Sequence, residues 1–223
     1  YAPFHRHFLV ARLDLDVDGG ANTVVEVDSV APPVSADNPY GLALVTDAKP
    51  ITSEAQAARD YDWSTQRSWK VVNPTKTNRQ GTNVAYKLVP GAAYPAMMDP
   101  STPQYLRAPV IGHTLWVTKH HDDERWPCGS YPTQSTVDTG MTEWIKDDES
   151  LENTDVVLWY VFGLHHITRP EEWPIMSVDT ISFWLKPFGF FDQNPALDVA
   201  PTSKADGEAC HTGTDHANAH HEH

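Results

Sequence analysis

The chain has 223 residues, and its 16 Lys and Arg against 30 Asp and Glu give a formal net charge of −14 with histidine neutral. This charge argues against nucleic acid as a partner, because affinity for a phosphate backbone depends on basic clusters. The longest apolar run, Val156 to Gly163, is far shorter than the roughly 18 to 20 residues of a membrane-spanning helix, so no membrane partner is expected. The length and the 40% apolar content suit one large globular domain.

β-Branched and aromatic runs recur between clusters of turn-forming residues, which predicts an all-β fold. The predicted helix, Thr52 to Tyr61, is short, and Thr52 or Ser53 would cap it. The 18 prolines break the rest into loops, notably 90–109 and 187–201. The predicted strands are Phe8 to Leu15, Thr23 to Asp28, Leu42 to Thr46, Ser68 to Val72, Val84 to Val89, His113 to Lys119, Asp155 to Phe162 and Thr180 to Leu185.

The two ends of the chain differ in character from its middle. Tyr1 follows no basic-then-apolar leader, so we expect that processing or truncation produced this N-terminus. From Thr202 the sequence is polar and rich in histidine, which predicts a loosely packed or disordered tail over 202–223 behind a β domain over 1–201. Cys128 and Cys210 allow one disulfide, and a bridge and two free thiols are equally compatible with their positions. The tail histidines, which could bind stray metal, are His211, His216, His220, His221 and His223.

Two histidines begin the first predicted strand. Because strand side chains alternate with period two, His5 and His7 should point to one face, the same face as the apolar Leu9, Ala11 and Leu13. Such a pair by itself is more often two ordinary surface or hydrogen-bonded histidines than a metal site. A third candidate comes from His165 and His166, of which only one can face inward from an extended chain. Three imidazoles without a thiolate suit Cu(II) or Zn(II), with open positions for water or dioxygen.

Three aspartates follow on the opposite parity, at Asp14, Asp16 and Asp18, so in a regular strand they cannot share the imidazole site. Alternating carboxylates with a carbonyl between them offer the hard oxygen ligands that calcium prefers. A solvated strand end is the simpler interpretation of the same pattern. Asp155, which precedes the most apolar strand, is the natural long-range partner of these residues.

Two long segments resemble the topaquinone-dependent copper amine oxidases, in the C-terminal half of their catalytic domain. The segment His5 to Asp14 (HRHFLVARLD) resembles the copper-binding His-x-His segment of that family. The segments 153–160 (NTDVVLWY) and 165–176 (HHITRPEEWPIM) resemble the region that carries the third ligand. The resemblance implies a large antiparallel β-sandwich, the supersandwich of that family. It also implies copper(II) bound by His5, His7 and His166, with His165 not a ligand and Met176 near the metal.

The resemblance also implies two further cation sites. The first is a buried calcium site formed by three carboxylates and two backbone carbonyls. The second is a peripheral site, for which an exposed acidic cluster is an equal interpretation. The residues implied for the calcium site are Asp14, Asp16, Asp155 and the carbonyls of Leu15 and Val156. Those implied for the peripheral site are Glu54, Asp147, Glu149 and the carbonyl of Trp144.

The chain departs from the family in the region that performs the organic chemistry. The family forms topaquinone from a tyrosine in an Asn-Tyr-Asp/Glu-Tyr motif upstream of His-x-His, and its aspartate base lies further upstream, so neither is expected here. Asp60-Tyr61-Asp62 lacks the asparagine, and Tyr61 is expected to be an ordinary packing or loop residue. We therefore expect no catalytic residue within this chain and no activity from the chain in isolation.

For the whole protein the resemblance implies a homodimeric primary-amine oxidase that converts an amine, O2 and water to an aldehyde, ammonia and hydrogen peroxide. The upstream part of the same protein would then be a required partner. A non-catalytic β module that binds copper and calcium is the alternative, and independent copper redox chemistry is a third, weaker one. Secretion is expected over a peroxisomal location, because the chain ends Ala219-His220-His221-Glu222-His223 without a Ser-Lys-Leu-type signal.

Overall fold

The computed structural model describes residues 4–200, and after Phe190 the chain passes into a second unit that is described by itself. The described part of that second unit contains one short 3-10 helix, Pro195–Asp198. The first unit contains eight described strands, two one-turn α-helices, Pro103–Leu106 and Met141–Trp144, and short 3-10 turns. The strands are β1 His5–Asp14, β2 Thr23–Val30, β3 Val45–Ile51, β4 Ser68–Thr77, β5 Asn83–Val89, β6 Leu115–Lys119, β7 Val156–His166 and β8 Trp184–Phe188.

The eight strands form two antiparallel sheets. The smaller sheet has the order β1-β7-β6, with the long β7 in the centre. The larger sheet has the order β3-β2-β4-β5-β8. The predicted all-β, antiparallel class is therefore confirmed. No helix within residues 4–200 is long and apolar enough to cross a bilayer.

The principal core, called the inner core below, lies between the two sheets. From the larger sheet it receives Trp69 of β4 and Leu88 of β5, which are fully buried. From the smaller sheet it receives Leu158 and Tyr160, alternate residues of β7. Period-two alternation explains why these side chains share one face of β7. The inner core thus fixes which face of the smaller sheet is turned toward the larger one.

The opposite face of the smaller sheet carries a second cluster, called the outer core below. Its strand residues include Trp159 of β7 and Trp116 of β6, and residues of short helical segments, such as Val110 and Met141, cover them. Because both faces of β7 are buried, its sequence is an almost continuous apolar run instead of an alternating one. Such a run identifies a strand but not the face that each residue occupies.

Six of the predicted strands are confirmed, with boundaries that differ by a few residues, and two were largely misplaced. The prediction Leu42 to Thr46 overlaps β3 only at Val45 and Thr46, and Leu42 itself is 86% exposed. The prediction Thr180 to Leu185 overlaps β8 only at Trp184 and Leu185, the first two residues of that strand. Strand β3 contains Pro50 and strand β8 contains Pro187, and a proline argues against a strand when only the sequence is considered. Both strands lie at sheet edges, where a missing N–H is tolerated.

The predicted helix from Thr52 to Tyr61 is wrong apart from a single 3-10 turn, Glu54–Gln56. The backbone on both sides of that turn pairs with distant segments. Ser53 forms a bridge to Ser150, and the N–H and C=O groups of Arg59 bond to Leu115 at 2.8 and 2.9 Å. These long-range pairings occupy the backbone N–H and C=O groups that would otherwise form the hydrogen bonds of a helix. The interpretation of Tyr61 as a packing residue is confirmed, since it contacts the inner core.

Some predictions concern residues beyond the described range. The polar tail over 202–223 and Cys210 lie outside residues 4–200, so the boundary after residue 201 and the disulfide stay predictions. Cys128 lies against the outer core, and burial raises the pKa of its thiol to about 11.

Candidate metal centre

The pairing of β1 with β7 brings three histidines to one face of the smaller sheet. His5 lies directly opposite His166, so both side chains project from the same face, and His7 lies two positions further on the same side of β1. That face is the one turned toward the inner core, because Leu13 of β1 and Phe162 of β7 pack there. The predicted parity of His5 and His7 is confirmed. The histidines lie beyond the end of the inner core, where Leu9 is 49% exposed.

The three imidazoles form a compact triangle. Their ring centroids are 4.9 Å apart for His5 and His7, 4.9 Å for His5 and His166, and 5.1 Å for His7 and His166. Each residue offers one ring nitrogen within 4.8 Å of the others, and Nε2 of His5 lies 3.1 Å from Nδ1 of His166. Two ligands at right angles, each about 2.0–2.1 Å from one ion, would be about 3 Å apart. The donor set and its spacing fit a copper or zinc ion.

His165 lies on the other face, as expected for the neighbour of His166. It is paired in register with Arg6, and its Nε2 is 2.9 Å from the carbonyl oxygen of Pro95. Its ring also contacts Phe8 and Tyr94 edge-on, with centroids 5.8 and 6.0 Å away. The structure therefore separates the two adjacent histidines and assigns only His166 to the triangle.

A carboxylate that was not predicted contacts the triangle from the side away from His5. Oδ2 of Asp179 lies 2.5 Å from Nε2 of His166, in the segment between β7 and β8. The sequence offered no signal for this contact, because a single aspartate in an irregular segment belongs to no periodic pattern.

Met176 lies in the wall of an apolar cavity of about 520 Å3, which Phe4 and Trp173 also line. Phe4 directly precedes His5, so this cavity adjoins the start of β1. The expected position of Met176 beside the metal stays a prediction, since the structure records it as a cavity residue and not as part of the triangle.

The predicted calcium residues lie at the other end of β1. Asp14 pairs with Arg12 at 2.9 Å, and His120 lies between Asp14 and Asp155, at 3.3 and 3.7 Å from their Oδ2 atoms. Oδ1 of Asp155 is buried without a hydrogen-bond partner. Burial raises the pKa of Asp155, and the nearby carboxylates of Asp14 and Asp16 raise it further.

An unpartnered buried carboxylate oxygen beside two more carboxylates fits a cation. However, Asp14, Asp16 and Asp155 are not among the described groups whose ligand atoms all lie within 4.8 Å of one another. The side chains of Leu15 and Val156 pack into the inner core, which leaves their carbonyls as the only groups that they could contribute.

The second predicted cation set is more compact. Carboxylate oxygens of Glu54, Asp147 and Glu149 lie within 4.8 Å of one another. Glu54 is 2% exposed and accepts hydrogen bonds from the backbone N–H groups of Lys119 (2.9 Å) and Glu149 (3.3 Å). Burial raises the pKa of Glu54 to about 7, with a further contribution from the Asp147 carboxyl group.

Two basic side chains already lie beside the Glu54 set. Nζ of Lys119 and Nε2 of His121 lie 2.8 and 2.5 Å from the two carboxylate oxygens of Glu149. The side chain of Trp144, whose carbonyl was predicted to take part, packs against the outer core beside Trp159. The cluster is thus partly buried and partly neutralised, which differs from the exposed acidic cluster that was the alternative.

The fold and the triangle together define a class of protein: an antiparallel β-sheet protein whose inner face ends in three imidazoles of the kind that bind copper or zinc. The chain belongs to the copper amine oxidase family, because residues 1–206 match the family described as copper amine oxidase, enzyme domain.

The chain is 42% identical over 214 residues to a Nicotiana tabacum protein named copper-containing diamine oxidase 1, peroxisomal, covering 94% of this chain and 27% of the relative. It is 41% identical over 219 residues to the histamine oxidase of Arthrobacter globiformis, covering 98% and 31%. The crystal structure of a copper-containing benzylamine oxidase from Hansenula polymorpha superposes with a TM-score of 0.79 at 34% identity, covering 90% of this chain and 32% of the other. The chain therefore spans less than a third of the length of these relatives.

Proposed function

We propose that this chain carries the copper site of a primary-amine oxidase, with His5, His7 and His166 as the ligands of copper(II). The observation that carries the proposal is the convergence of three imidazole nitrogens within 4.8 Å on the inner face. Membership of the copper amine oxidase family supports copper over zinc as the ion. When bound, copper in this family supports formation of the quinone cofactor and the reaction with dioxygen.

The reaction of the whole protein is the oxidation of a primary amine by O2 and water to an aldehyde, ammonia and hydrogen peroxide. The quinone-forming tyrosine and the aspartate base belong to a segment outside residues 1–223, which agrees with the short share of the relatives that this chain spans. Within the chain, β1 and β7 hold the three ligands and keep their positions through strand pairing. The chain alone is therefore expected to bind copper without oxidising amines.

Two cation sites accompany this function in the proposal. The Asp14, Asp16 and Asp155 set would bind calcium, supported by the unpartnered buried Oδ1 of Asp155. The Glu54, Asp147 and Glu149 set would bind a second divalent cation, supported by its spacing. At both sets a cation would compete with a basic side chain, Arg12 at the first set and Lys119 at the second.

The protein is proposed to act as a homodimer on amine and dioxygen. Secretion is the predicted location, and a peroxisomal location is the alternative. Plant relatives from Nicotiana tabacum and Arabidopsis thaliana are named peroxisomal, which supports that alternative, whereas secretion stays a prediction.

The copper site can be tested with two matched variants, His166→Ala and His165→Ala. The two residues are adjacent on β7 but lie on opposite faces. Copper binding would be measured by titration against a competing chelator and by EPR. The tail histidines are present in both variants, so any difference between them reports on the triangle. We expect His166→Ala to lose the tight site and His165→Ala to keep it, and equal loss or equal retention would contradict the assignment.

The oxidase activity needs the protein that also contains the quinone-bearing segment. Peroxide release would be measured with several primary amines, together with redox staining for a quinone-containing peptide. Turnover that disappears in His166→Ala would support the oxidase. Copper binding at the triangle without a quinone peptide and without peroxide would indicate the alternative, a non-catalytic copper- and calcium-binding module.

A further inference from the structure

His166 is held at both of its ring nitrogens. Nδ1 faces the triangle, 3.1 Å from Nε2 of His5, and Nε2 faces Oδ2 of Asp179 at 2.5 Å. The side chain of His166 is 17% exposed and that of Asp179 is 51% exposed, so the carboxylate lies on the solvent side of a mostly covered ring. These two contacts determine which way the ring is turned.

The contact with Asp179 also selects a tautomer. An ionised carboxylate is an acceptor only, so Nε2 of His166 must carry the hydrogen in this contact. In a neutral imidazole the other nitrogen then keeps its lone pair, and that nitrogen is Nδ1, which points at the triangle. A metal binds imidazole through such a lone pair. The carboxylate thus prepares the ligating atom without touching the metal position.

Strand pairing ends at this ring. His166 is the last residue of β7, and it pairs with His5, the first residue of β1, so these two residues form the end of the ladder. His7 lies inside the same ladder. The contact with Asp179 therefore supplements the strand pairing at the point where it stops.

We propose that Asp179 is the positioning residue of the copper site, fixing the tautomer and the orientation of His166 so that Nδ1 is the ligating atom. The inference rests on the proposed function, because it takes the triangle to be the copper site. Carboxylate partners of ligating histidines also increase ligand basicity, and their removal costs about 10–100-fold in metal affinity in other metalloproteins.

The test compares copper affinity in the full chain with that of four variants, using competition with a chromophoric chelator. Asp179→Leu removes the acceptor and should weaken copper binding by about 10–100-fold. Asp179→Asn keeps an acceptor oxygen without the charge and should lie between Asp179→Leu and the parent chain. Asp179→Glu should recover most of the affinity. Glu171→Gln removes a nearby exposed carboxylate that pairs only loosely with Arg169, at 3.8 Å, and should change nothing.

A spectroscopic readout separates positioning from a merely structural role. Pulsed EPR detects the remote nitrogen of each coordinated imidazole, and its quadrupole coupling depends on the hydrogen bond that this nitrogen makes. We expect the signal of one remote nitrogen to change in Asp179→Asn and in Asp179→Leu, and to stay unchanged in Glu171→Gln. Thermal unfolding without copper checks that each variant is folded, and Asp179→Asn serves if Asp179→Leu does not fold.

The outcomes distinguish the two proposals. If the parent chain binds copper through His166 but the Asp179 variants keep parental affinity and remote-nitrogen couplings, the positioning role is refuted and the copper site stands. If His166→Ala binds copper as tightly as the parent chain, the copper site and the positioning role are both overturned. Weakened binding with an altered remote-nitrogen signal, recovered by Asp179→Glu, supports the role of Asp179.

Discussion

Gly163 is the position at which the smallest chemical change should disturb the triangle most. It is paired with Phe8 in the β1 and β7 ladder, three residues before His166. A Cβ atom added here would lie 2.0 Å from the carbonyl oxygen of His7 and 3.1 Å from Cα of Phe8. Real Cβ atoms essentially never approach another heavy atom closer than 3.0 Å. In Gly163→Ala the two strands must therefore separate locally by at least about 1 Å.

The energetic cost follows from two opposing effects. Forcing extra volume into a packed site costs about 1–3 kcal/mol. Replacing glycine by alanine also reduces the entropy of the unfolded chain, which returns about 0.4–1 kcal/mol. Taking the middle of both ranges, the free energy of unfolding of Gly163→Ala should thus fall by about 1.3 kcal/mol, and by at most about 2.6 kcal/mol. For a chain of this size a loss of about 1.3 kcal/mol corresponds to a decrease in melting temperature of about 3–5 °C.

The clash should also reach the site, because the atom that is struck belongs to the backbone of His7. Thermal unfolding would be measured without metal, and copper affinity by chelator competition. The matched control is Gly20→Ala, where the nearest atom to the new Cβ is a side-chain oxygen of Asp16 at 3.3 Å, outside the triangle. We expect Gly163→Ala to lose both stability and copper affinity, and Gly20→Ala to keep its copper affinity. Parental melting temperature and affinity in Gly163→Ala would refute the reasoning.

Three further predictions concern the body of the fold. Leu158→Ala, in the fully buried inner core, should lower the free energy of unfolding by about 2–5 kcal/mol, measured by urea denaturation; a loss below 1 kcal/mol would contradict the packing. Arg67 donates two hydrogen bonds to Asp28, at 2.9 and 3.0 Å, and these lower the pKa of Asp28. This ion pair therefore stabilises the fold at pH values above the usual titration range of an aspartate, and the stabilisation is lost as the pH falls through the lowered pKa. Asp28→Asn should therefore cost about 1 kcal/mol at pH 7 and little near pH 2, and a pH-independent difference would count against this cause. Burial raises the pKa of Cys128 to about 11, so alkylation of this thiol at pH 8 should be about 100-fold slower in the folded protein than in urea. Peptide mass spectrometry would follow the alkylation, and equal rates would show an accessible thiol.

Much of the sheet structure follows from local sequence. Strand β7 was predictable because an apolar run of this length, rich in β-branched and aromatic residues and bounded by turn-forming residues, is typical of a buried strand. Strands β3 and β8 were not predictable, because each contains a proline and has exposed neighbours, so neither shows the usual sequence pattern of a strand. The helix predicted around Glu54 was wrong for a different reason. Its alanines favour a helix locally, but the bridges to Ser150 and Leu115 determine its backbone, and those partners are about 60 to 100 residues away.

The candidate site likewise has one part that local sequence predicts and one part that it does not. The parity of His5 and His7 is a local property of one strand and could be predicted. The contact of Asp179 with His166 could not, because it depends on the course of an irregular segment after β7. Contacts made by loops carry no periodicity, so a single carboxylate there is indistinguishable in sequence from any other surface aspartate.

The choice between His165 and His166 shows what only the tertiary structure decides. A slip of one residue in the pairing of β7 would exchange its two faces and would place His165, instead of His166, on the side of His5. Both faces of β7 are apolar, so hydrophobic pattern alone does not oppose that slip. The two cores oppose the slip, because Tyr160 fits between the sheets and Trp159 fits beneath the short helical segments of the outer core. The shape of the packing around two aromatic residues thus determines which of two adjacent histidines completes the triangle.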